Sequence, residues 1–520
     1  MQYGGRTMRK LSQLVTLFFI VSFGWAQTSG KLRGTVSSSD GQALAGANVI
    51  VDGTSMGAAT DGDGGYTILN VPAGRYSVTA TYIGYKSTTE SNVTVKVDLT
   101  TPMNFNLESS AVEGEAVTIV GQKRLIERSA TNSVRTVDAE EIQNAASRSV
   151  TGMLDMQAGV TITNGKLHIR GSRAEEVAYT LDGAQITDVI NTGRDISAIP
   201  EALAEIAVEA GGYGAHVGGA NSGVVRQTLR TGGNEFGGNV RFESGDYGYT
   251  DMTATIGGPL GPVRFFAALR QSHTDDWNPS FYESFDIDVD GDGVVDDLPS
   301  FESGVTPDGD TIQVSFDGSS IAHRQRDNMQ LNTTASMDFG PLNLRFTGVM
   351  DNSSWQSNSL PIYYMFNTDR LPESERSLTM LATRVNFFLN PNFLLTAGFS
   401  TMNRSYESYD GLFGKPSGFQ DALMWHDSAS VATTMNAEAG ANWKTSYTDP
   451  TSYYVGLFPF QRPGDITTGW SKNNRSTVGI DAGMTYQMGD HEIRAGLDIK
   501  NYTYRKYYLS TGAMEQVNRL

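Results

Sequence analysis

The second half of the chain alternates apolar and polar residues over long runs. Met329, Leu331, Ala335, Met337 and Phe339 fall on one face of such a run, and the residues between them are polar. The same period of two recurs later in the chain. Because successive side chains of a β-strand point to opposite faces, this period predicts strands with one apolar and one polar face.

The connections between these strands alternate in length. The sequence predicts nine strands, at 238–246, 250–258, 262–273, 328–339, 342–354, 377–390, 392–406, 475–488 and 491–506. Tight turns at Gly258-Pro259-Leu260-Gly261, Gly340-Pro341, Asn390-Pro391 and Gly489-Asp490 alternate with loops of roughly 50, 20 and 70 residues. Alternating short and long connections are typical of outer-membrane barrels, whereas a soluble β-sandwich, the alternative, does not require them. Tyr502, Tyr504, Tyr507 and Tyr508 are expected to form an aromatic girdle at the outer strand end.

Composition excludes several classes of function. The chain has 39 Lys plus Arg against 57 Asp plus Glu, a net charge of −18, which argues against nucleic-acid binding. It has no cysteine, and its six histidines lack the spacing of a zinc hydrolase. No G-x-S-x-G motif or Walker loop is present, so the chain is not predicted to be an enzyme.

The first 26 residues have the layout of a secretory signal peptide. A basic start at Met8-Arg9-Lys10 precedes an apolar run over 11–24, and Gly24-Trp25-Ala26 offers small residues for cleavage. A buried N-terminal helix is the alternative. No other run approaches ~18 apolar residues, so membrane embedding would be by strands.

Residues 27–109 contain short β-favouring runs separated by glycine-containing turns, a pattern typical of a small β-sandwich. The pattern Gly34-x-Val36, Thr60-Asp61-x-x-Gly64-x-Tyr66 and Tyr82-Ile83-Gly84-Tyr85 closely resembles the carboxypeptidase-regulatory-like, transthyretin-like domain. Asp61-Gly62-Asp63 fits a hairpin turn better than a calcium site.

Residues 110–126 form a Gly- and Glu-rich linker around one β-prone segment, Glu115-Ala116-Val117-Thr118-Ile119-Val120. The segment is expected either to pair inside the following domain or to lie free as a peptide that seeks a sheet edge.

Residues 127–232 are mixed α and β. Asp138 and Glu141 form a capping box that predicts a helix start, and Val150–Leu154 continues a helical pattern. The order of elements resembles the plug domain of TonB-dependent outer-membrane receptors. The motifs that carry this resemblance are Ile169-Arg170-Gly171, Leu181-Asp182-Gly183 and Ser222-Gly223-Val224.

The resemblance to TonB-dependent receptors covers nearly the whole chain and implies a mainly β protein. Such a protein would consist of a transthyretin-like β-sandwich, an α+β plug and an antiparallel transmembrane β-barrel, of which 233–520 would supply the first nine or so strands. Because single-chain bacterial barrels close with even strand numbers, the chain is expected to be an N-terminal part.

The family implies plug-gated uptake of a scarce ligand (a siderophore, glycan or peptide) across the outer membrane. It also implies partners: TonB with its inner-membrane complex, outer-membrane lipid and, in some members, a surface lipoprotein. Glu115–Val120 stands at the position of the family's TonB box, and the N-terminal domain would be periplasmic. The longer plug motif of SusC-like glycan importers is missing, so glycan import is not favoured.

The outer loop over 275–322 contains thirteen acidic residues and no Lys or Arg. Its centre presents six aspartates among glycines: Asp286, Asp288, Asp290, Asp292, Asp296 and Asp297. Alternating Asp followed by Gly is typical of Ca²⁺ loops, although position 12 lacks the usual Glu. The sequence predicts a calcium site, with an unliganded acidic loop as the alternative. A calcium-stabilised adhesin or structural barrel is therefore the rival function.

Overall fold

The computed structural model describes residues 29–97, 99–109, 117–120, 134–145, 147–188, 190, 193–194, 196–211, 213, 218–276, 281–282, 285–286, 297–298, 312–313, 315–316, 319–320, 325–358, 363–364, 368–423, 452–455, 458–461, 468–489 and 491–510. Among these residues, no helix has the length and apolar character needed to cross a membrane.

The N-terminal unit packs two sheets around one apolar core. Its strands are β1 (Ser29–Ser38), β2 (Asn48–Val51), β3 (Gly57–Ala59), β4 (Gly65–Pro72), β5 (Gly74–Thr81), β6 (Thr88–Val95), β7 (Thr100–Pro102), β8 (Phe105–Leu107) and β9 (Val117–Val120). One sheet has the order β4-β1-β7 with β8 also on β1, and the other the order β3-β2-β5-β6-β9. Leu32, Val49, Val78 and Phe105 are buried between them.

Two motif residues of this unit have visible structural roles. A Cβ on Gly34 would stand 1.5 Å from the carbonyl oxygen of Met103, so only glycine allows β1 this close an approach. The Asp61 Oδ1 atom accepts the backbone N–H groups of Asp63 and Gly65 at 3.0 and 2.7 Å. Asp61 therefore stabilises its own turn, in agreement with the hairpin interpretation.

The next unit is a five-stranded sheet with two short helices. Its elements are β10 (Val134–Asp138), α1 (Ala139–Asn144), α2 (Val150–Asp155), β11 (Val160–Thr163), β12 (Lys166–Ile169), β13 (Val177–Leu181), β14 (Ala184–Gln185), β15 (Leu203–Glu209) and β16 (Gly223–Leu229). The main sheet has the order β10-β15-β16-β13-β14, and β11 pairs with β12. The capping box of Asp138 and Glu141 is confirmed, and Ser149 caps α2 separately, so the helical pattern is two helices.

Nine antiparallel strands in sequence order form one sheet, here called the wall. They are β17 (Gly237–Ser244), β18 (Thr250–Leu260), β19 (Val263–Thr274), β20 (Arg326–Phe339), β21 (Leu342–Gln356), β22 (Pro372–Asn390), β23 (Phe393–Asp410), β24 (Trp470–Met488) and β25 (His491–Leu509). The nine predicted strands are confirmed with shifted ends, and so is the turn at Gly340-Pro341. The first turn is at 261–262 and not at 258–261, because Gly258, Pro259 and Leu260 still pair with β19. The turn after β22 is at 391–392, and Asp490 lies outside the described residues. Left-handed φ angles of 60°, 62° and 57° at Gly261, Gly340 and Gly489 close three of the turns.

Several wall strands extend beyond their predicted ends. β22 begins at Pro372 rather than 377, and β24 at Trp470 rather than 475. The added residues 373–376 are all polar, so the apolar alternation stops there while the backbone ladder continues. The alternation of apolar and polar residues therefore predicts only the part of a strand that has one apolar face, and the backbone hydrogen bonds extend beyond it.

The two faces of the wall differ sharply. One face exposes large apolar side chains on eight of the nine strands, among them Val240, Ile256, Phe346, Leu381, Phe399, Ile480 and Ile499. Apolar patches of this extent mark contact with lipid or a partner, and an outward apolar band is what a transmembrane strand needs. The other face buries polar residues such as Asn332, Thr334, Arg345 and Asp351.

The girdle expected at the end of β25 is wrong for three of its four tyrosines. Tyr502, Tyr504 and Tyr508 pair in register with Thr477, Arg475 and Ser471, which places them on the polar face of the wall. The Tyr502 hydroxyl lies 3.4 Å from Gln185 Oε1 of the five-stranded sheet, within hydrogen-bond reach. Strand alternation explains the correction, because neighbouring tyrosines two residues apart share a face and must follow Arg475 inward.

The outer loops contribute a few short elements. Two-residue ladders join 281–282 to 319–320, 285–286 to 315–316 and 297–298 to 312–313, and Ser452–Val455 pairs with Phe458–Gln461. A helix, α3 (Phe419–Leu423), follows β23.

We predict that Leu381→Arg destabilises the wall by about 2–4 kcal/mol, because Leu381 is 55% exposed near the middle of β22, on the apolar face. The measurement is the free energy of unfolding from lipid vesicles in urea. Leu381→Phe, which keeps the position apolar, should stay close to the parent protein. Equal unfolding curves for the Arg and Phe variants would show that this face does not contact lipid.

Candidate functional site

The α+β unit over 134–229 packs against the polar face of the wall. Two of its three sequence motifs, Ile169-Arg170-Gly171 and Ser222-Gly223-Val224, meet in one region, whereas Leu181-Asp182-Gly183 lies at the other end of β13. Ile169 packs on Gly223, where an added Cβ would stand 2.5 Å from Ile169 Cδ1. Arg170 and Gly171 follow with left-handed φ angles of 52° and 74°, which turn the chain sharply. The backbone N–H of Ser222 donates to the carbonyl of Glu176, so this segment is fixed next to β13.

The second motif is the turn between β13 and β14. Asp182 and Gly183 have φ angles of 47° and 81°, the pair of left-handed residues that a two-residue hairpin requires. The Asp182 N–H donates to the carbonyl of Gln227, and its Oδ1 atom accepts the N–H of Leu229 at 3.0 Å. The turn is thereby held against β16 with its carboxylate aimed at the wall.

That carboxylate binds the wall directly. Asp182 Oδ2 accepts hydrogen bonds from Arg345 Nη2 at 2.9 Å and from Thr347 Oγ1 at 2.7 Å, both on β21. Arg345 also donates to Thr231 Oγ1 and to the carbonyl of Leu229, at 2.6 and 2.8 Å. Asp182 and Arg345 are both buried, so the charges are paired and hydrogen-bonded away from water, as buried ions must be.

A second acidic residue contacts the wall farther from the tight turns. Asp188 Oδ2 forms ion pairs with Arg404 of β23 and Arg475 of β24. These two arginines lie directly opposite each other in the ladder, an arrangement of like charges that is destabilising by itself. The Arg475 guanidinium also lies 5.3 Å from the centre of the Tyr504 ring. Asp188 therefore supplies the negative charge that this part of the wall needs.

Neutral hydrogen bonds complete the contact. The N–H of Ile199 donates to Asn332 Oδ1 at 2.8 Å, Gln330 Nε2 donates to the carbonyl of Ser197 at 3.2 Å, and Thr334 Oγ1 donates to the carbonyl of Arg230 at 2.6 Å. The wall also adds apolar side chains, with Leu378, Met380 and Met402 packed in the same core as the α+β unit. Its inner face is thus mixed and not uniformly polar.

Burial also shapes the charges inside the α+β unit. Desolvation lowers the pKa of Arg194 below its usual value and raises the pKa of the Tyr179 phenol. The Arg194 guanidinium is held by Thr151 Oγ1 at 2.9 Å and Ser197 Oγ at 3.4 Å. These bonds tie α2 to the loop that carries Asp188.

The predicted strand at Glu115–Val120 is present but pairs elsewhere than expected. Val117–Val120 is β9 and runs parallel to β6 of the N-terminal unit, with Thr88 opposite Val117 and Ser91 opposite Val120. It therefore neither pairs inside the following domain nor lies free, because β6 offers an open sheet edge nearby. Glu115 and Ala116 lie outside the described residues.

The predicted calcium ligands lie outside the described residues, except for the backbones of Asp286 and Asp297 in their two-residue ladders. Elsewhere in the described chain, no group of three or more His, Asp or Glu side chains has the arrangement of a metal site.

Sequence reasoning identified Asp182 but missed its partner Arg345, and it missed Asp188, Arg404 and Arg475 altogether. A signal was available, because these arginines fall on the polar face of strands whose other face is apolar. A charged residue at such a position must find a partner inside.

Two family models match the chain. Residues 31–108 match the carboxypeptidase regulatory-like domain, and residues 127–225 match the TonB-dependent receptor plug domain. The chain carries the plug domain of a TonB-dependent outer-membrane receptor. The α+β unit is this plug, and the N-terminal sandwich is the regulatory-like domain.

Curated relatives agree with this assignment. The TonB-dependent transporter Oar of Myxococcus xanthus is 25% identical over 336 residues, which are 56% of this chain and 31% of that protein. The TonB-dependent receptor P26 of Formosa agariphila is 30% identical over 218 residues, 39% of this chain and 21% of that protein. The chain thus spans less than a third of the length of these relatives.

Solved structures give weaker similarities. The alcaligin receptor FauA from Bordetella pertussis has a TM-score of 0.44 at 11% identity, over 74% of this chain and 49% of that one. The copper transporter OprC has a TM-score of 0.44 at 12% identity, over 73% and 49%.

We predict that Asp182→Ala weakens the attachment of the plug to the wall by about 3–5 kcal/mol, because it leaves the buried Arg345 without this carboxylate. The measurement is protease cleavage of the plug as a function of urea in the assembled receptor. Glu175→Ala removes an exposed plug carboxylate and should change little. Identical urea midpoints for the two variants would contradict the role of Asp182.

Proposed function

We propose that this chain belongs to an active importer, in which the plug gates the passage of a scarce ligand and TonB supplies the force. The observation that carries the proposal is the way the plug is held. Asp182 and Asp188 fix it to three wall strands through buried or half-buried ion pairs with Arg345, Arg404 and Arg475.

Polar attachment suits a plug that must move and return. Charged and hydrogen-bonded contacts fix one orientation, because a misplaced plug would leave buried charges unpaired. Water entering the lumen can replace each of these bonds in turn, whereas separating a large apolar interface exposes its whole area at once. The plug is therefore held in one position on the wall and can still be separated from it by a directed pull.

The segment Glu115–Val120 is our candidate for the TonB contact. A strand that adds to the edge of another sheet binds through backbone hydrogen bonds, so it needs no strict side-chain code. The adoption of strand structure by Val117–Val120 against β6 supports this capacity for edge pairing. The inner-membrane energising complex would act through TonB.

The transported ligand is proposed to contact the wall beside the Asp188 loop. Arg404, Arg475, Tyr502 and Tyr504 offer cationic and aromatic groups on the inner face there. Such groups suit siderophores, glycans and peptides alike, so the class of ligand stays open among these three. A surface lipoprotein partner remains a prediction from the family resemblance.

We predict that Val117→Pro in the full-length receptor abolishes uptake and TonB binding but spares ligand binding, because proline removes a backbone donor from the added strand. Binding of the C-terminal domain of TonB is measured by calorimetry. Val117→Ala keeps the donor and should bind normally. Unchanged uptake by the proline variant would place the TonB box elsewhere. A parent receptor that never binds TonB would instead favour the adhesin or structural barrel.

We also propose that the aspartates of 286–297 fold around Ca²⁺ on the extracellular side. The sequence supports this with six carboxylates in twelve residues and with Gly291 and Gly293, which let the backbone curl. The missing Glu at position 12 favours weak binding, which calcium-rich surroundings would still saturate at an affinity of about 10⁻⁴ M.

The double variant Asp288→Asn, Asp290→Asn should remove calcium-dependent protection of this loop and leave barrel assembly intact. Limited proteolysis of the intact receptor is followed with Ca²⁺ and with EGTA. A matched double variant at Asp308 and Asp310, outside the repeat, should keep the protection. Equal cleavage within 286–297 under both conditions in the parent receptor would rule out the calcium site.

A further inference from the structure

The regulatory-like domain contacts the wall at the end where the tight turns lie. Lys31 Nζ of β1 stands 2.6 Å from Glu492 Oε2 and 3.5 Å from Gln487 Oε1. These two residues flank the turn between β24 and β25, and the side chains of Lys31 and Glu492 are only 21% and 18% exposed. One margin of the wall is thus joined to the domain by a partly buried ion pair.

The same domain reaches the opposite margin of the wall. Gly53 lies so close to Asn234, just before β17, that an added Cβ would stand 1.9 Å from Asn234 Nδ2. Tyr76 of β5 lies within electrostatic reach of Arg264 and Asp338 in β19 and β20, and burial raises its pKa to about 12. The domain therefore spans from the first strands of the wall to the last.

The same domain also contacts the plug. Arg75 forms an ion pair with Glu140 of α1, and this hydrogen bond raises the pKa of the Arg75 guanidinium. The N–H of Val97 donates to Glu205 Oε2 at 3.4 Å. A cleft of about 760 Å³ remains between these contacts, bordered by both domains and by Arg230.

The candidate TonB segment belongs to the same sheet. β9 is the last strand in the order β3-β2-β5-β6-β9, so the chain between this domain and the plug is anchored on the domain side. A pull on β9 must either break its ladder with β6 or move the whole domain.

We propose that the regulatory-like domain is a second gate: a cap across the tight-turn mouth of the wall, beneath the plug, which opens when β9 is drawn away. The proposal rests on the proposed function in one respect, namely that TonB draws β9. The ligand must then pass two barriers in series, the plug and the cap.

The contacts set the order in which the two barriers open. The cap is held by ion pairs at its rim, one of which, Arg75–Glu140, has side chains 46% and 61% exposed, and exposed pairs contribute little. The β6–β9 ladder is parallel and four residues long, the weaker type of pairing. The plug is held by the buried Asp182–Arg345 pair. A pull that reaches the cap through this ladder therefore releases the cap before the plug.

The test measures the distance between cap and wall in the full-length receptor. Spin labels are attached at Asp40→Cys in the cap and His491→Cys in the wall, two exposed positions in a segment of 520 residues without native cysteine. Pulsed electron spin resonance then gives the distance distribution. We expect one narrow distribution in the parent receptor.

Two double variants remove the same two ion pairs from opposite sides: Lys31→Gln with Arg75→Gln, and Glu492→Gln with Glu140→Gln. Both should lose the narrow distribution. Lys86→Gln removes a cap lysine that pairs within the cap, with Glu108, and should keep it. A broad distance distribution in the parent receptor, or a narrow one in both double variants, would contradict the proposal that these ion pairs hold the domain as a cap.

Adding the C-terminal domain of TonB tests whether TonB binding opens the cap, separately from whether the cap exists. Broadening of the parent distribution supports release through β9. Calorimetric binding without broadening contradicts that release. Absence of calorimetric binding contradicts the proposed TonB contact instead, and the double variants still decide whether the cap exists.

Discussion

A strand that turns every second side chain toward lipid must turn the others toward a shared interior, and the rest of this structure depends on that constraint. The apolar band on the outer face of β17–β25 satisfies the membrane. The inner face then carries residues such as Asn332, Thr334 and Arg345, which need partners. The plug supplies these partners, so the two units are stable as a pair in a way that neither is alone.

The charged contacts between plug and wall are placed on separate strands. Asp182 binds β21, while Asp188 bridges β23 and β24. Asp182 neutralises the buried Arg345, and Asp188 offsets the repulsion between two neighbouring arginines. Any other position of the plug would lose these pairings, so the plug has one favourable position on the wall. The regulatory-like domain adds a second layer of weaker contacts at the tight-turn end.

Much of the fold was predictable from the sequence, because the alternation over β20–β25 and the turn residues Gly340 and Gly489 are local signals. The capping box of α1 and the two-residue turn at Asp182 are local as well. The polar extension of β22 was not predictable, since nothing in 373–376 alternates. Partners such as Arg345 for Asp182, and β6 for β9, join residues far apart in sequence. The alternation shows that an arginine on the polar face needs a partner, but one sequence does not show which residue that partner is.

The crowding of Arg404 against Arg475 has a consequence for how the inner face of the wall is balanced. Two guanidinium groups that lie directly opposite each other on adjacent strands repel, and the Asp188 carboxylate, which pairs with both, offsets that repulsion. The carboxylate therefore contributes to the stability of two wall strands as well as to the position of the plug.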